Sequence, residues 1–136
     1  MTKSVHSFPI RIYYEDTDSG DVVYYANYLK FAERARTEAL RSIGIEQREL
    51  LEKHDVAFVV RKCTLEFFKP AQLDDLLTIT TELTDISKVT LCMQQTISRG
   101  DEKLVTCEVK LAVINNKKTL AKLPEFVHKA LTQLFT

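Results

Sequence analysis

The chain has 136 residues, which suits one domain over 1–136, because two separate cores would each be small. Lys and Arg number 19, as do Asp and Glu, so the net charge is zero, and the scattered cations form no basic stripe for nucleic acid. No stretch approaches the roughly 20 apolar residues of a membrane span, and residues 1–7 hold no signal-peptide core. The three cysteines are widely spaced, which favours neither a disulfide framework nor a zinc site. We therefore expect a cytoplasmic protein.

The first third of the chain predicts a strand, a polar turn and a long helix. Residues 8–14 favour a strand and residues 15–21 a turn that contains Gly20. Residues from about 22 to 43 predict a helix, because residues suited to a buried helical face recur there at spacings of four, three and four. Gly44 follows at the position where helices commonly end. That face consists of Tyr28, Ala32, Ala35 and Ala39. Its small side chains predict a helix that lies close against a sheet.

The rest of the chain predicts a short helix over 46–53, four long strands and a helix that starts near Pro124. The first of these strands is predicted to have one apolar face, interrupted by Arg61 and formed by Val59, Cys63, Leu65 and Phe67. Residues 99–102 favour a hairpin turn. Because helices and strands are segregated, we predict an α+β fold in which a roughly five-stranded antiparallel sheet wraps the long helix. The edges of such a sheet need pairing, so we expect an oligomer.

Carboxylates are concentrated just before the predicted long helix. Asp16, Asp18 and Asp21 precede its N-terminus, where free backbone N–H groups and the helix dipole favour anions and can hold an oxyanion. On pattern alone, capping and turn formation is the simpler account. A calcium loop does not fit, since it would need Gly instead of Asp21 and Glu instead of Asn27. An aspartyl-phosphate phosphatase would need a doubly wound fold, which the element order does not predict.

A longer string of motifs then carries a resemblance. The string runs through Tyr14-Glu15-Asp16-Thr17-Asp18, Val22-Val23-Tyr24, Asn27-Tyr28, Glu33-Arg34-Ala35-Arg36, Val59-Val60-Arg61-Lys62, Glu66-Phe67, Pro70-Ala71 and Asp74-Asp75. Over about residues 8–115 the chain resembles the Tol-Pal-associated acyl-CoA thioesterases, which belong with the 4-hydroxybenzoyl-CoA thioesterases of the hotdog superfamily. The resemblance implies a hotdog protomer that assembles as dimers, often paired into tetramers, with the active sites at the dimer interface.

The resemblance also implies a site without metal or organic cofactor. Asp18 would attack the thioester of an acyl-CoA or activate a water, and the backbone N–H of Tyr25 would be the oxyanion donor. Two departures are Asp21, where many relatives have Gly, and Tyr25, where the Tol-Pal type commonly has His. Arg61 and Lys62 are candidates for the CoA phosphates, and solvated charges on a strand are an equally good account of them. Tyr13, Tyr14, Tyr24 and Tyr28 are candidates for lining the acyl pocket, although core packing is the simpler account for most of them.

Two further functions stay open at this stage. The same fold could bind acyl-CoA or an acyl carrier protein without turnover, or it could act as a scaffold for lipid-synthesis proteins, as the family association suggests. A dehydratase or hydratase is disfavoured, because those relatives carry a catalytic His near the helix, and His6, His54 and His128 all lie far from it in sequence.

Overall fold

The computed structural model describes residues 5–135, so the first part of the predicted polar start lies outside the described residues. The strands are β1 (His6–Arg11), β2 (Thr17–Asp18), β3 (Val22–Val23), β4 (Ala57–Phe67), β5 (Leu76–Ile86), β6 (Thr90–Arg99) and β7 (Glu102–Ile114). The helices are α1 (Asn27–Ser42), α2 (Gln47–His54) and α3 (Glu125–Phe135). None of the helices in this described range has the length and hydrophobicity that crossing a membrane requires.

A five-stranded sheet in the order β1-β5-β6-β7-β4 forms the body of the fold, and every pairing in it is antiparallel. The helix α1 lies on one face of this sheet through the predicted alanines, each of which is fully buried. Gly44 follows the helix with φ +82°, a backbone angle that glycine adopts without steric cost. The prediction of an α+β fold with a wrapped helix and five strands is confirmed.

The long helix begins at Asn27, so the predicted start near Val22 is wrong. Val22 and Val23 instead form β3, which pairs with β2, and the Val23 N–H donates to the Ala71 carbonyl at 2.9 Å. β-Branched residues favour strands over helices, and here two partners are available to them. The predicted first strand over 8–14 is displaced toward the C-terminus, because β1 begins at His6 and ends at Arg11, and a 3₁₀ turn occupies residues 14–16.

The predicted apolar face of β4 is wrong for Val59. The register of β4 against β7 shifts between Val60 and Lys62, so Arg61 forms a bulge. An extra residue reverses the alternation of a strand, and Val60 therefore shares the face of the later residues while Val59 points to the other side. The residues on the face toward α1 are Phe58, Val60, Cys63, Leu65 and Phe67, as their partners across β7 show.

Two apolar clusters fill the space between helix and sheet. The rear cluster, at the C-terminal half of α1, includes Leu40, Leu50, Leu91, Val113, Val127 and Leu131. The front cluster, at the N-terminal half, includes Ile12, Val23, Tyr28, Phe31, Ala71 and Leu104. The two clusters meet in the middle of α1, where Ala32 belongs to the rear cluster and Ala35 to the front cluster.

A polar trio is also enclosed in this core. Arg36, which is 9% exposed, donates from Nη1 to Gln95 Oε1 at 3.0 Å. The amide nitrogen of Gln95 donates to the Ala32 carbonyl at 2.9 Å and to Thr81 Oγ1 at 3.0 Å. Burial lowers the pKa of Arg36. The side-chain amide of Gln95 thus accepts one of the hydrogen bonds that the buried guanidinium of Arg36 donates.

Candidate active site

The β2–β3 hairpin carries Asp18 at its tip. Asp18 pairs with Val22 and its side chain is exposed, while Ser19 and Gly20 turn the chain with φ values of +59° and +78°. The ring of Tyr14 lies over Gly20 so closely that an added Cβ would be 2.9 Å from its Cε2 atom. The turn below Asp18 therefore requires glycine for its backbone angle and for the ring above it.

Asp16 connects this hairpin with the start of α1. Its carbonyl oxygen accepts two hydrogen bonds, one from the Tyr24 N–H at 3.0 Å and one from Asn27 Nδ2 at 2.9 Å. Its carboxylate accepts a third, from the Tyr13 N–H at 2.9 Å. The segment that leads to Asp18 and the segment that leads into α1 are thus held together at one residue.

The backbone N–H of Tyr25 points away from the first turn of α1. Tyr25 precedes the N-cap residue Ala26, and the carbonyl of Tyr24 accepts the Asn27 N–H at 2.9 Å. In a trans peptide the N–H points opposite to the carbonyl that precedes it, and the described chain has no cis peptide bond. Among the described residues this N–H has no backbone acceptor. It is therefore available to an acceptor that comes from outside the chain.

A cavity of about 280 Å³ lies beside this turn. Its lining consists of Val23, Tyr25, Tyr28, Phe67, Phe68, Lys69 and Pro70. The Phe67 ring stands edge-on to the Tyr25 ring at 6.3 Å between centroids. The Tyr28 hydroxyl accepts the Ala71 N–H at 3.0 Å, and burial raises the pKa of Tyr28, so the phenol stays neutral. The cavity is therefore largely apolar.

An ion-pair network borders the cavity on the side of the β6–β7 hairpin. Arg99 Nη1 lies 2.7 Å from Asp75 Oδ2, and Glu102 accepts hydrogen bonds from Lys69 at 3.0 Å and from Arg99 at 3.3 Å. Burial alone would raise the pKa of Asp75, but hydrogen bonds from the Gln72 N–H and from Arg99 lower it below its ordinary value. The network fixes the segment that supplies one wall of the cavity.

The structure brings together only some of the predicted site residues. Tyr25 lines the cavity, whereas Asp18 lies in the β2–β3 hairpin and does not line it. Tyr14 packs over the hairpin, and Tyr24 contacts the Tyr25 ring without lining the cavity. Arg61 lies in the bulge of β4. Lys62 lines a separate groove on the face of the sheet that is turned away from α1. Within one chain, these two cations are not part of the cavity at Tyr25.

Other residues of the cavity were not singled out from the sequence. Phe67, Phe68 and Lys69 line the cavity. The only feature of the sequence that could have indicated them is the pair Phe67-Phe68, two large apolar residues at the end of a strand shortly before a proline. The sequence pattern also did not predict that the side chain of Asn27 donates a hydrogen bond to the Asp16 carbonyl. Within the described residues, no group of His, Cys, Asp and Glu could hold a metal ion.

Comparison with known proteins places this geometry in context. The model of the thioesterase superfamily matches residues 20–106. The chain is 45% identical over 115 residues to the acyl-CoA thioesterase YbgC of Haemophilus influenzae, covering 85% of each chain, and 45% identical over 114 residues to the acyl-CoA thioester hydrolase YbgC of Escherichia coli O157:H7, covering 84% of each. A probable thioesterase of Bartonella henselae superposes with a TM-score of 0.85 at 40% identity, covering 89% of this chain and 100% of that one.

Proposed function

The chain belongs to the thioesterase superfamily, and on that premise we propose that it hydrolyses acyl-CoA to CoA and a free carboxylic acid. The membership confirms the resemblance to the Tol-Pal-associated thioesterases and the hotdog fold that it implied. Two relatives named as acyl-CoA thioesterases, each matching most of the chain at 45% identity, support CoA as the carrier.

The proposal is carried by the outward-pointing N–H of Tyr25 beside an apolar cavity. In our proposal the thioester carbonyl oxygen accepts this N–H, which stabilises the negative charge of the tetrahedral intermediate. Loss of one such donor typically costs roughly 3 to 4 kcal/mol of activation free energy. The donor belongs to the backbone, and the Tyr25 ring packs against Phe67, so Tyr at a position where relatives commonly have His is compatible with the role.

Asp18 supplies the second group in this proposal, by one of two routes. Its carboxylate either attacks the carbonyl carbon, so that the C–S bond breaks and water then hydrolyses the mixed anhydride, or it takes a proton from the water that attacks. In both routes the thiolate of CoA leaves and is protonated, and neither requires a metal or an organic cofactor. The apolar lining of the cavity suits the acyl group, with Tyr14 and Tyr24 as further contacts of the substrate nearer to the hairpin.

We also propose that a second copy of the chain pairs along β4. Of the two edge strands, β1 has six residues and contains Pro9, which has no N–H, whereas β4 has eleven residues and exposes Val60 to 52%. The longer, apolar edge is the one that needs a partner. Pairing there would place Arg61 at the joint surface, where it and Lys62 remain candidates for the CoA phosphates, in a dimer or a dimer of dimers.

The pairing is tested by sedimentation of Val60→Lys. A charge on this face of β4 is expected to shift the assembly to monomers, whereas Leu120→Lys, a control at another exposed apolar residue, leaves it intact. A wild type that sediments as a monomer would contradict the pairing. Binding of acyl carrier protein or of lipid-synthesis proteins, and a cytoplasmic location, stay predictions that pull-down and fractionation can test.

The catalytic proposal is tested by thiol release from short, long and aromatic acyl-CoAs. We expect the wild type to release CoA and Asp18→Asn to be slower by roughly a thousandfold or more. Asp21→Asn is the matched control, because Asp21 lies in the same turn, is exposed and uses only its backbone carbonyl, which accepts the Leu73 N–H. It should retain activity within a few-fold.

Two results would contradict this assignment. Equal rates for the wild type and Asp18→Asn would remove Asp18 from the chemistry. Tight binding of acyl-CoA without any release of thiol would leave the fold intact and make the chain a binding protein or scaffold.

A further inference from the structure

Asn27 makes two hydrogen bonds that flank the proposed oxyanion donor. Its side chain donates to the Asp16 carbonyl at 2.9 Å, and its backbone N–H donates to the Tyr24 carbonyl, also at 2.9 Å. The Tyr24 carbonyl and the Tyr25 N–H belong to the same peptide plane. Asn27 therefore fixes the orientation of the peptide that would hold the oxyanion.

The hydrogen bond from Asn27 to the Asp16 carbonyl also restrains the strand that carries Asp18. Asp16 is followed by Thr17 and Asp18 in β2, and its carbonyl also accepts the Tyr24 N–H at 3.0 Å. One carbonyl oxygen thus receives donors from the residue before Tyr25 and from a residue after it. Each bond restrains the distance between the β2–β3 hairpin and the first turn of α1. Together the two bonds also restrain the rotation of the hairpin relative to the helix.

We infer that Asn27 is a positioning residue that sets the geometry between the Asp18 carboxylate and the Tyr25 N–H. This inference rests on the proposed function. Two groups that act on the same carbonyl must be held to within a fraction of an ångström, and a displacement of about 1 Å can lower a rate about 100-fold. No other described side chain donates a hydrogen bond to the Asp16 carbonyl. The role of Asn27 is therefore not duplicated by a second side chain.

Asn27→Asp tests the inference with a change of almost no volume. The variant is expected to keep the helix, because a carboxylate is favourable in the first turn. However, a carboxylate oxygen would replace the Nδ2 donor and face the Asp16 carbonyl, so acceptor would oppose acceptor. We expect kcat for acyl-CoA to fall about 30- to 100-fold with KM within twofold of the wild type. The melting temperature should fall by no more than about 5 °C, because the helix dipole offsets part of the loss of one hydrogen bond.

A thioether analogue of acyl-CoA separates positioning from a structural role. The analogue has a methylene group in place of the thioester carbonyl, so its binding does not depend on the Tyr25 N–H, and its Kd should be unchanged in Asn27→Asp. Asn115→Asp is the matched control: Asn115 uses its side-chain oxygen to accept hydrogen bonds from Lys117 and Thr119, which a carboxylate can also accept. It adds the same charge and should leave kcat unchanged.

The outcomes distinguish this inference from the proposed function. A wild type that hydrolyses acyl-CoA and an Asn27→Asp variant with wild-type kcat would overturn the inference alone. Loss of thioether binding together with a melting temperature lower by more than about 5 °C would also overturn it, since Asn27 would then only stabilise the fold. A wild type without hydrolysis of any acyl-CoA would instead contradict the proposed function.

Discussion

The front and rear clusters lie at opposite ends of α1 and are completed in different ways. The rear cluster is closed by side chains of two further helices, including Leu50 of α2 and Leu131 of α3, both almost fully buried. The front cluster is closed largely by turns, whose backbone groups are satisfied through contacts such as Val23 N–H to the Ala71 carbonyl. The rear end is thus covered by helices whose apolar side chains pack into it. The other positions backbone groups by hydrogen bonds, and the candidate site lies there.

The largest loss of stability that we expect comes from shortening a leucine in either cluster. Leu91→Ala in the rear cluster and Leu104→Ala in the front cluster each remove a fully buried side chain, and each should lower the free energy of unfolding by about 3 to 4 kcal/mol. Chemical denaturation measures this loss. Only Leu104→Ala should also lower kcat, by roughly three- to tenfold, because it loosens the wall beneath the cavity.

One result for the two leucine variants would contradict the functional difference between the two clusters. If Leu91→Ala lowered kcat as much as Leu104→Ala, measured well below both melting temperatures, the two ends of the core would not be functionally distinct.

The next effect concerns the polar trio between the clusters. Gln95→Leu removes the acceptor of buried Arg36 and should lower the free energy of unfolding by about 2 to 3 kcal/mol. In the double variant Arg36→Leu/Gln95→Leu no buried cation is left, so the double variant should be more stable than Gln95→Leu alone. Thermal and chemical denaturation of the three proteins would show this order. A double variant that is less stable than Gln95→Leu would contradict it.

A smaller loss of stability is expected for Gly20→Ala in the hairpin. Alanine at φ +78° costs about 1 to 2 kcal/mol, and its Cβ would also meet the Tyr14 ring. Because the hairpin carries Asp18, activity should fall by more than this stability loss explains. Gly100→Ala is the control: its φ is +60°, but no atom lies within 4 Å of the added Cβ. It should lose stability without losing activity.

The smallest effect is a pH dependence at the wall of the front cluster. The pKa of Asp75 is lower in the folded chain than its ordinary value of 3.8, so its contribution to stability is present above 3.8 and is lost as pH falls from there through the lower pKa of the folded chain. Asp75→Asn should therefore be less stable than the wild type by about 1 kcal/mol near pH 7, and the difference should shrink below about pH 4. Denaturation curves at pH 7 and pH 3 measure both values. A constant difference would contradict the shift.

The main elements of this fold were predictable because their patterns are long. The alanine face of α1 and the alternation in β5, β6 and β7 each extend over several turns or strand repeats, and the family resemblance then identified the hotdog topology. Short segments were not predictable to the same degree. Val22 and Val23 continue an apolar pattern that suits a helix, and only pairing with β2 and with Ala71 makes them a strand.

The details of the candidate site depend on contacts between distant residues. The bulge at Arg61 changes which residues face α1, and a register shift has no signature in the alternation until the partner strand is known. Likewise, nothing in the sequence near Asn27 indicates that its amide reaches Asp16, eleven residues earlier. The resemblance identified Asp18 and Tyr25 as candidates, whereas the bonds around them required the structure.

The alanine face of α1 has a mechanical consequence. A smooth row of methyl groups offers little resistance to a helix that slides along its own axis, because one small residue can replace the next at a shift of one turn, about 5.4 Å. The large buried side chains of Phe31 and Leu40 oppose such a slide. Gln95 opposes it as well, because it reaches from the sheet to the Ala32 carbonyl and to Arg36, and a slide would break both bonds to the helix at once. A glutamine in the centre of the core thereby contributes to the depth at which the first turn of α1 comes to rest.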